Sequence, residues 1–313
     1  MIDKEKIAVV IPSYKVKKQI VPLINELIDL VGVVIVVDDK CPENSGKWVE
    51  SEINDKRVVV LFHEENKGVG GATITGYDYF LRETNCEIAV KIDGDGQMSP
   101  KLIYGLIEPI LLKQADYSKG NRFYNLSALS QMPRVRLLGN SILSLVNKFV
   151  NGYWQVMDPT NGFTAISRRS LKKINLLKID QRYFFESDML FRLGINRVVV
   201  SDFAMDAFYG EEESGLNIYK VLFEFPPKYL KRFIKRIFYS YFLRDFNAGS
   251  FQLIFGLIFT LYGTLYGAVN WYSSITLNVE AKTGTIMLAA LPIIIGSQLL
   301  IGFLNYDVQN APK

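Results

Sequence analysis

Through the first hundred positions, apolar residues come in short, nearly continuous runs, and each run stops at a polar cluster. Ile7-Ala-Val-Val-Ile11 leads into Pro12-Ser13-Tyr14, and Val33-Val-Ile-Val-Val37 leads into Asp38-Asp39. Val58-Val-Val-Leu-Phe62 precedes the segment from His63 to Ala72, and Ile88-Ala-Val-Lys-Ile92 precedes Asp93-Gly-Asp95-Gly-Gln97. Between the runs the period changes to that of a helix. Residues 20–31 carry Leu23, Ile24, Leu27 and Ile28 on one stripe, residues 71–83 repeat the pattern, and Ser99-Pro100 supplies an N-cap and a first helical position. Strands alternating with helices, each strand apolar on both faces, predict a parallel α/β sheet. Ligands of such sheets gather outside the carboxyl ends of the strands, so four polar motifs at four such ends predict one shared pocket.

Toward the other end of the chain the pattern is different. Residues 251–271 contain no charge, and as a helix they would reach about 30 Å, the thickness of a bilayer's hydrocarbon core. A second uncharged segment covers 284–306, where Pro292 and Gly296 predict a tolerated kink. Two transmembrane helices are expected. Lys228, Lys231, Arg232, Lys235, Arg236 and Arg244 precede the first span, whereas the loop 272–283 holds only Lys282. The positive-inside rule then puts the large domain on the cytoplasmic face of the inner membrane, in a multi-pass chain. The charged start leads straight into a strand, so no signal peptide is expected. Residues 216–246 interleave these basic residues with Phe and Tyr, among them Tyr219, Phe223, Phe225, Tyr229, Phe233, Phe238, Tyr239, Tyr241 and Phe242, and Pro226-Pro227 is expected to split them into two short amphipathic helices lying at the headgroups.

Composition adds limits. A length of 313 residues allows one sizeable domain and something more, and the net charge of +4 does not suggest a nucleic-acid partner. Its basic residues cluster beside the spans, where anionic membrane lipids are the simpler partner. The two cysteines, Cys41 and Cys86, have no metal-ligand spacing and suit a reducing compartment. The expected organisation is a catalytic domain at 1–215, juxtamembrane helices at 216–248, two spans at 249–306 and a cytoplasmic tail at 307–313, with homo-oligomerisation through the spans left open.

The sharpest chemical signal is Asp93-Gly-Asp95-Gly-Gln97. Extended backbone sends Asp93 and Asp95 to one side, and two hard carboxylates with the Gln97 amide suit Mg²⁺ or Mn²⁺ that keeps positions open for a diphosphate. An isolated Asp-x-Asp is more often a solvated turn. Its position at the end of the fourth of four such runs favours a site.

Taken together, the chain resembles the polyisoprenyl-phosphate glycosyltransferases of glycosyltransferase family 2, the group of the dolichol-phosphate mannose synthases and bactoprenol glucosyltransferases. The resemblance rests on Val9-Val-Ile-Pro-Ser-Tyr14, Val36-Val-Asp38-Asp39, Asn66-Lys-Gly68-Val-Gly-Gly-Ala72, Asp93 to Gln97, Asp158-Pro-Thr-Asn-Gly-Phe163 and the terminal pair of spans. It implies a Rossmann-like GT-A fold with a mainly parallel sheet, a nucleotide-sugar donor (a UDP-sugar in the first instance), a divalent metal and a polyprenyl phosphate acceptor. By motif it implies that Pro12, Tyr14 and Asp39 line the nucleoside site with Asp38 beside them, and that Asn66 and Gly68 join the donor-binding set. Asp93, Asp95 and Gln97 then hold the metal and diphosphate, with Asp95 also catalytic. Arg122 and Arg136 match basic positions near phosphates, and Asp158 faces the transferred sugar or the acceptor. Glu186 and Asp188 stand where related transferases carry an acidic pair. The implied reaction is inverting transfer of a hexose for assembly or modification of a cell-surface glycan.

One departure affects the acceptor. Relatives often carry a Gly-Glu-Ser-Lys type loop, and this chain has Gly215 after Ser214 where the lysine often falls. Arg134 and Arg136, or a basic residue of the interface helices, are then expected to contact the acceptor phosphate together with Ser214. His63 is expected to be a strand-end hydrogen-bonder, and Glu211 to Glu213 read equally well as a solvated loop. Two other readings stay open: a membrane-anchored family 2 transferase with a glycolipid or soluble acceptor, and a catalytically silent assembly subunit.

Overall fold

The computed structural model describes residues 3–124, 134–206 and 218–312, apart from the side chains of 134–136 and 218–222. The chain divides into two compact units. One runs up to Phe233 and takes back Pro312, and the other is Ile234–Ala311.

In the first unit, β1 (Ile7–Ser13), β2 (Val33–Asp38), β3 (Val58–Phe62), β4 (Ile88–Lys91), β5 (Tyr117–Asn121), β6 (Thr164–Ser167) and β7 (Val200–Ala204) form one sheet in the order β3-β2-β1-β4-β6-β5-β7. Every pairing is parallel except those of β6, which runs against both β4 and β5. This reversal shapes the site. Because β6 runs backwards, the segment that enters it, 158–163, arrives at the edge where β4 and β5 end. In register, Thr164 lies opposite both Lys91 of β4 and Lys119 of β5.

Alternation along the central strands sorts their side chains into two layers. Val9, Ile11, Val34, Val36 and Val90 pack against α1 (Lys17–Leu27) and later α4 (Ile103–Leu111), through Ile20, Leu23, Ile24, Leu106 and Ile107. Ala8, Val10, Ile35, Val37 and Ala89 meet the other layer, which includes Ala72, Tyr77, Phe80, Met189 and Leu190. This layer holds α3 (Gly68–Glu83) and α6 (Phe185–Ile195), which follows α5 (Arg134–Asn151), whereas α2 (Ser45–Glu52) joins the first layer through Val49. The expected first helix begins and ends a few residues early. Ser99 makes no side-chain cap, and Pro100–Leu102 is a separate 3-10 turn before α4.

The expected break at Pro226-Pro227 does not occur, because α7 (Ile218–Phe238) runs through both prolines. Both prolines are exposed, so water can satisfy the carbonyls that their missing N–H groups leave unbonded. Beyond them the helix is tied down. Phe225, Tyr229 and Phe233 pack around Phe184 and Val150, while Lys228 binds Asp180 at 2.6 Å and Arg232 binds Asp188 at 2.9 Å. Tertiary packing overrides the local propensity here. Residues 223–233 of the segment read as a membrane platform therefore form part of the first unit.

The second unit holds α8 (Ala248–Leu277) and α9 (Thr283–Gln309), both long and apolar enough to cross a membrane. They leave most of their apolar side chains exposed, unlike the buried helix of a soluble core. Gly296, read as a kink point, serves a different purpose: a Cβ there would stand 2.4 Å from Thr260 Oγ1 and 2.9 Å from Gly256 O, so its lack of a side chain lets the helices touch. At one end of the hairpin Asp307 accepts a two-pronged bond from Arg236, at 2.7 and 3.0 Å, and a 2.5 Å bond from the Tyr241 hydroxyl. Asp307→Ala is expected to cost about 3 kcal/mol, because it leaves a buried guanidinium without its carboxylate. A double-mutant cycle with Arg236→Met, followed by unfolding in mixed micelles, checks this, and zero coupling contradicts it.

Candidate active site

At the ends of β1 and β2 the structure separates exposed groups from buried ones. Tyr14 follows β1 and is 44% exposed, with Lys15 Nζ 5.6 Å from its ring centre. Pro12 lies within β1, its backbone paired with Val37. Asp38 and Asp39 are buried, and their oxygens bond to the protein itself. Asp38 accepts the N–H groups of Cys41 and Gly46, each at 2.7 Å. Asp39 accepts those of Lys67 (2.8 Å) and Gly68 (2.7 Å) and binds His63 Nδ1 at 2.7 Å. His63 reaches Thr75 Oγ1 through Nε2 at 2.8 Å, so it is a strand-end hydrogen-bonder. These carboxylates shape the rim by tying the loops after β2 and β3. Asn66 closes the same corner: its Nδ2 donates to Asp39 O at 3.1 Å, and its Oδ1 accepts from Arg182 at 3.2 Å.

At the end of β4, Asp93 and Asp95 are both partly exposed, and Gln97 N–H donates to Asp95 Oδ1 at 3.0 Å. Beneath Asp93 is a group that the sequence reading missed. Lys91 Nζ is buried and donates to Asp93 Oδ1 at 2.7 Å and to Gly162 O at 3.3 Å, with Glu186 Oε1 at 3.5 Å. Burial works against its charge, but Asp93 and Glu186 outweigh burial and hold its pKa above the ordinary lysine range. Gly162 makes the arrangement possible, since a Cβ there would stand 2.4 Å from Asp93 Oδ2 and 2.6 Å from Lys91 Nζ.

Lys119, in register across β6, is the second buried lysine and donates to Asn161 O. Burial lowers its pKa to about 8, only partly opposed by Glu186 and Asp158. The sign follows from linkage: between about pH 8 and the ordinary lysine value the folded chain has released this proton while the unfolded chain keeps it, so folding gains stability as pH rises. The melting temperature of the wild type is expected to rise relative to that of Lys119→Met across this window. A constant difference would contradict the assignment.

The other predicted residues assemble around the entering loop. Asp158 is fully buried and accepts Arg122 Nε at 2.7 Å, Nη2 at 3.1 Å and the Arg122 backbone N–H at 3.3 Å. Thr160 Oγ1 adds a contact at 3.3 Å. Two clusters thus lie along one loop: Arg122 with Asp158 at its start, and Lys91 with Asp93 and Glu186 at its end. The acidic pair is split. Positions two apart on a helix face nearly opposite ways, so Glu186 turns to Lys91 while Asp188 accepts from Asp180 N (2.8 Å), Arg192 Nη2 (3.0 Å) and Arg232 Nε (2.9 Å). Asp188 is an anchor for α6 and α7. Arg134 and Arg136 open α5, and their side chains, like Ser214, lie outside the described residues.

The donor set fits a divalent ion of the Mg²⁺ or Mn²⁺ kind, because Asp93 and Asp95 are hard oxygen ligands at a strand end. Among the described residues no three His, Cys, Asp or Glu side chains converge into a closed metal centre. An ion here would therefore share its shell with a ligand or water.

The glycosyl transferase family 2 model matches residues 8–175, which include all of the motifs at the ends of β1 to β5 and the 158–163 loop. UDP-N-acetylglucosamine–dolichyl-phosphate N-acetylglucosaminyltransferase of Methanococcus voltae is 32% identical over 225 residues, covering 67% of this chain and 88% of its own. Undecaprenyl-phosphate mannosyltransferase of Micrococcus luteus is 29% identical, covering 60% and 77%. Glucosyl-3-phosphoglycerate synthase of Mycobacterium tuberculosis, crystallised with Mn²⁺, UDP and phosphoglyceric acid, shares the fold with a TM-score of 0.54 at 18% identity, over 74% of this chain and 78% of that one. Mannosyl-3-phosphoglycerate synthase of Rubrobacter xylanophilus has the same TM-score at 18% identity, over 77% and 76%. The strand-end carboxylates, the reversed sixth strand and these matches lead to one conclusion: the chain belongs to glycosyltransferase family 2 and is a glycosyltransferase of the GT-A fold.

Proposed function

We propose that the chain transfers a sugar from a nucleotide sugar, in the first instance a UDP-sugar, to a membrane polyprenyl phosphate. The observation that carries this reading is one chain that combines the Asp93–Asp95 strand end with two helices of spanning length and composition. The names of the relatives above, which act on dolichyl and undecaprenyl phosphate, support the same acceptor class.

In this reading the exposed ring of Tyr14 stacks on the base, and the rim tied by Asp38 and Asp39 holds the nucleoside. Asp93, Asp95 and Gln97 would hold Mg²⁺ or Mn²⁺ with the diphosphate, and such an ion would neutralise charge on the leaving nucleoside diphosphate. Lys91 fixes Asp93 through Oδ1, and Asp93 Oδ2 lies beside Gly162. A phosphate monoester has a second pKa of about 6, so its oxygen is already anionic at neutral pH and needs no protein base. That oxygen forms the new bond to the anomeric carbon as the bond to the diphosphate breaks, and the electron pair leaves with the nucleotide. Asp158, held by Arg122, positions sugar or acceptor. Arg134 and Arg136, at the start of α5, draw in the acceptor phosphate. The excess of Lys and Arg before the first span supports a cytoplasmic side for the catalytic unit in this reading.

The test is a panel of nucleotide sugars offered to the purified protein with undecaprenyl phosphate, read by chromatography of the lipid phase. One donor is expected to move its sugar into that phase in a metal-dependent way. Transfer only to water-soluble acceptors would reject the reading.

A further inference from the structure

Arg122 and Asp158 meet across two stretches of chain, one leaving β5 and one on its way into β6. The position of their bond depends on how those stretches are held. A single oxygen ties them together. Asp202 Oδ2, on β7, accepts Asn121 Nδ2 at 3.0 Å and the backbone N–H of Met157 at 3.0 Å. Asn121 directly precedes Arg122, and Met157 directly precedes Asp158. Asn121 also accepts the Phe123 N–H through Oδ1 at 2.9 Å, so the turn that carries Arg122 is fastened on both sides of it. Met157 O accepts from Ser144 Oγ at 2.8 Å, and the bond to Asp202 fixes the N–H of the same residue.

The other end of the loop is held in the same manner. Lys119 donates to Asn161 O, and Lys91 donates to Gly162 O at 3.3 Å. Three charged side chains, on β4, β5 and β7, thus grip the backbone of this segment, and Asp202 takes the end that leads into Asp158. Lys119 and Asp202 are partners in the β5–β7 register.

Stability alone does not account for a carboxylate at this position. The second oxygen, Oδ1, is buried and has no hydrogen-bond partner among the described residues. Burial pushes the carboxyl pKa up, against the opposing pull of the Met157 N–H and Lys119. A carboxyl whose pKa is raised by folding holds its proton more tightly in the folded chain. Its ionised form at neutral pH therefore weakens folding. Unsatisfied buried groups of this kind are kept mainly where function requires them.

We propose that Asp202 is a positioning residue for sugar transfer: through Asn121 and Met157 it fixes the Arg122–Asp158 pair in the arrangement that transfer uses. The inference rests on the proposed role of that pair toward sugar or acceptor, and it adds the residue that sets the pair.

The test compares full-length wild type, Asp202→Leu and Asp202→Asn in detergent micelles. The Arg122 Nε–H resonance, identified by its loss in Arg122→Lys, reports the bond to Asp158. It is expected to move toward the position of an unpaired arginine in Asp202→Leu. The same variant is expected to lower kcat about tenfold, the scale on which a small misplacement of reacting groups acts, with UDP affinity by calorimetry unchanged. Asp202→Asn keeps an oxygen that accepts both bonds, more weakly than a charged one. It is expected to show both changes in smaller degree and to melt no lower than the wild type. An Arg122 resonance left in place by Asp202→Leu overturns the proposal, as does a loss of kcat matched by an equal loss of UDP affinity. Should Asp202→Leu fail to fold, Asp202→Asn decides: a lower melting temperature, or resonance and kcat both equal to the wild type, overturns the proposal. Were the wild type to move no sugar onto lipid phosphate, the acceptor reading would fall, and the Arg122 resonance would still decide the role of Asp202.

Discussion

Asp95→Asn is expected to lower transfer by on the order of a hundredfold to a thousandfold, the scale on which one fixed electrostatic stabiliser of a developing charge acts. Asp95 follows the end of β4, partly exposed, and belongs with Asp93 to the carboxylate pair that suits a hard divalent ion. The substitution keeps the shape and removes the charge, so folding should change little and the loss should appear in kcat. A chelator is expected to silence the wild type, with Mg²⁺ or Mn²⁺ restoring it. Full turnover in excess chelator would contradict the assignment of the pair.

Lys91→Met is expected to damage both stability and transfer. It removes the buried ammonium between Asp93 and Glu186 and leaves two carboxylates facing each other without their shared cation. Breaking a buried pair by removing one partner costs about 3 kcal/mol or more. Gly162 is what lets the ammonium sit here, because a Cβ on it would stand 2.6 Å from Lys91 Nζ. Thermal unfolding of Lys91→Met, and of Lys91→Met combined with Glu186→Gln, separates the two effects. The double variant is expected to recover much of the stability and little of the transfer, since Asp93 stays unanchored. A single variant as stable as the wild type would show that Lys91 is not the counter-charge of this cluster.

The legible parts of the chain were those where a local pattern has one physical meaning. Apolar runs ending in polar clusters read directly as β1 to β4, and uncharged segments of spanning length as α8 and α9. Asp93 and Asp95 stood out because the pair closes the fourth of four apolar runs that end in polar clusters. The rest depended on pairings distant in sequence. The roles of Lys91 and Lys119 follow from the reversed β6, which sets Thr164 between them, and no local spacing reports that reversal. The available signal was a single lysine inside the run Ala89-Val90-Lys91-Ile92, a charge that must find a partner once buried. Glu186 and Asp188 looked like a pair in one dimension and separate on a helix. Pro226 and Pro227 looked like a break, and α7 passes through them because its inner face is held by Phe184 and Asp188.

The central claim is that this site moves a sugar from a nucleotide onto a lipid phosphate. The most direct measurement is the mass of the lipid after incubation of undecaprenyl phosphate with nucleotide sugar, Mg²⁺ or Mn²⁺ and the full-length protein, run beside Asp95→Asn. The account predicts that the wild type adds a single sugar to the lipid phosphate and releases the nucleoside diphosphate, while the variant leaves the lipid unchanged. Consumption of the nucleotide sugar with the lipid mass unchanged, or equal product from the wild type and Asp95→Asn, would contradict it.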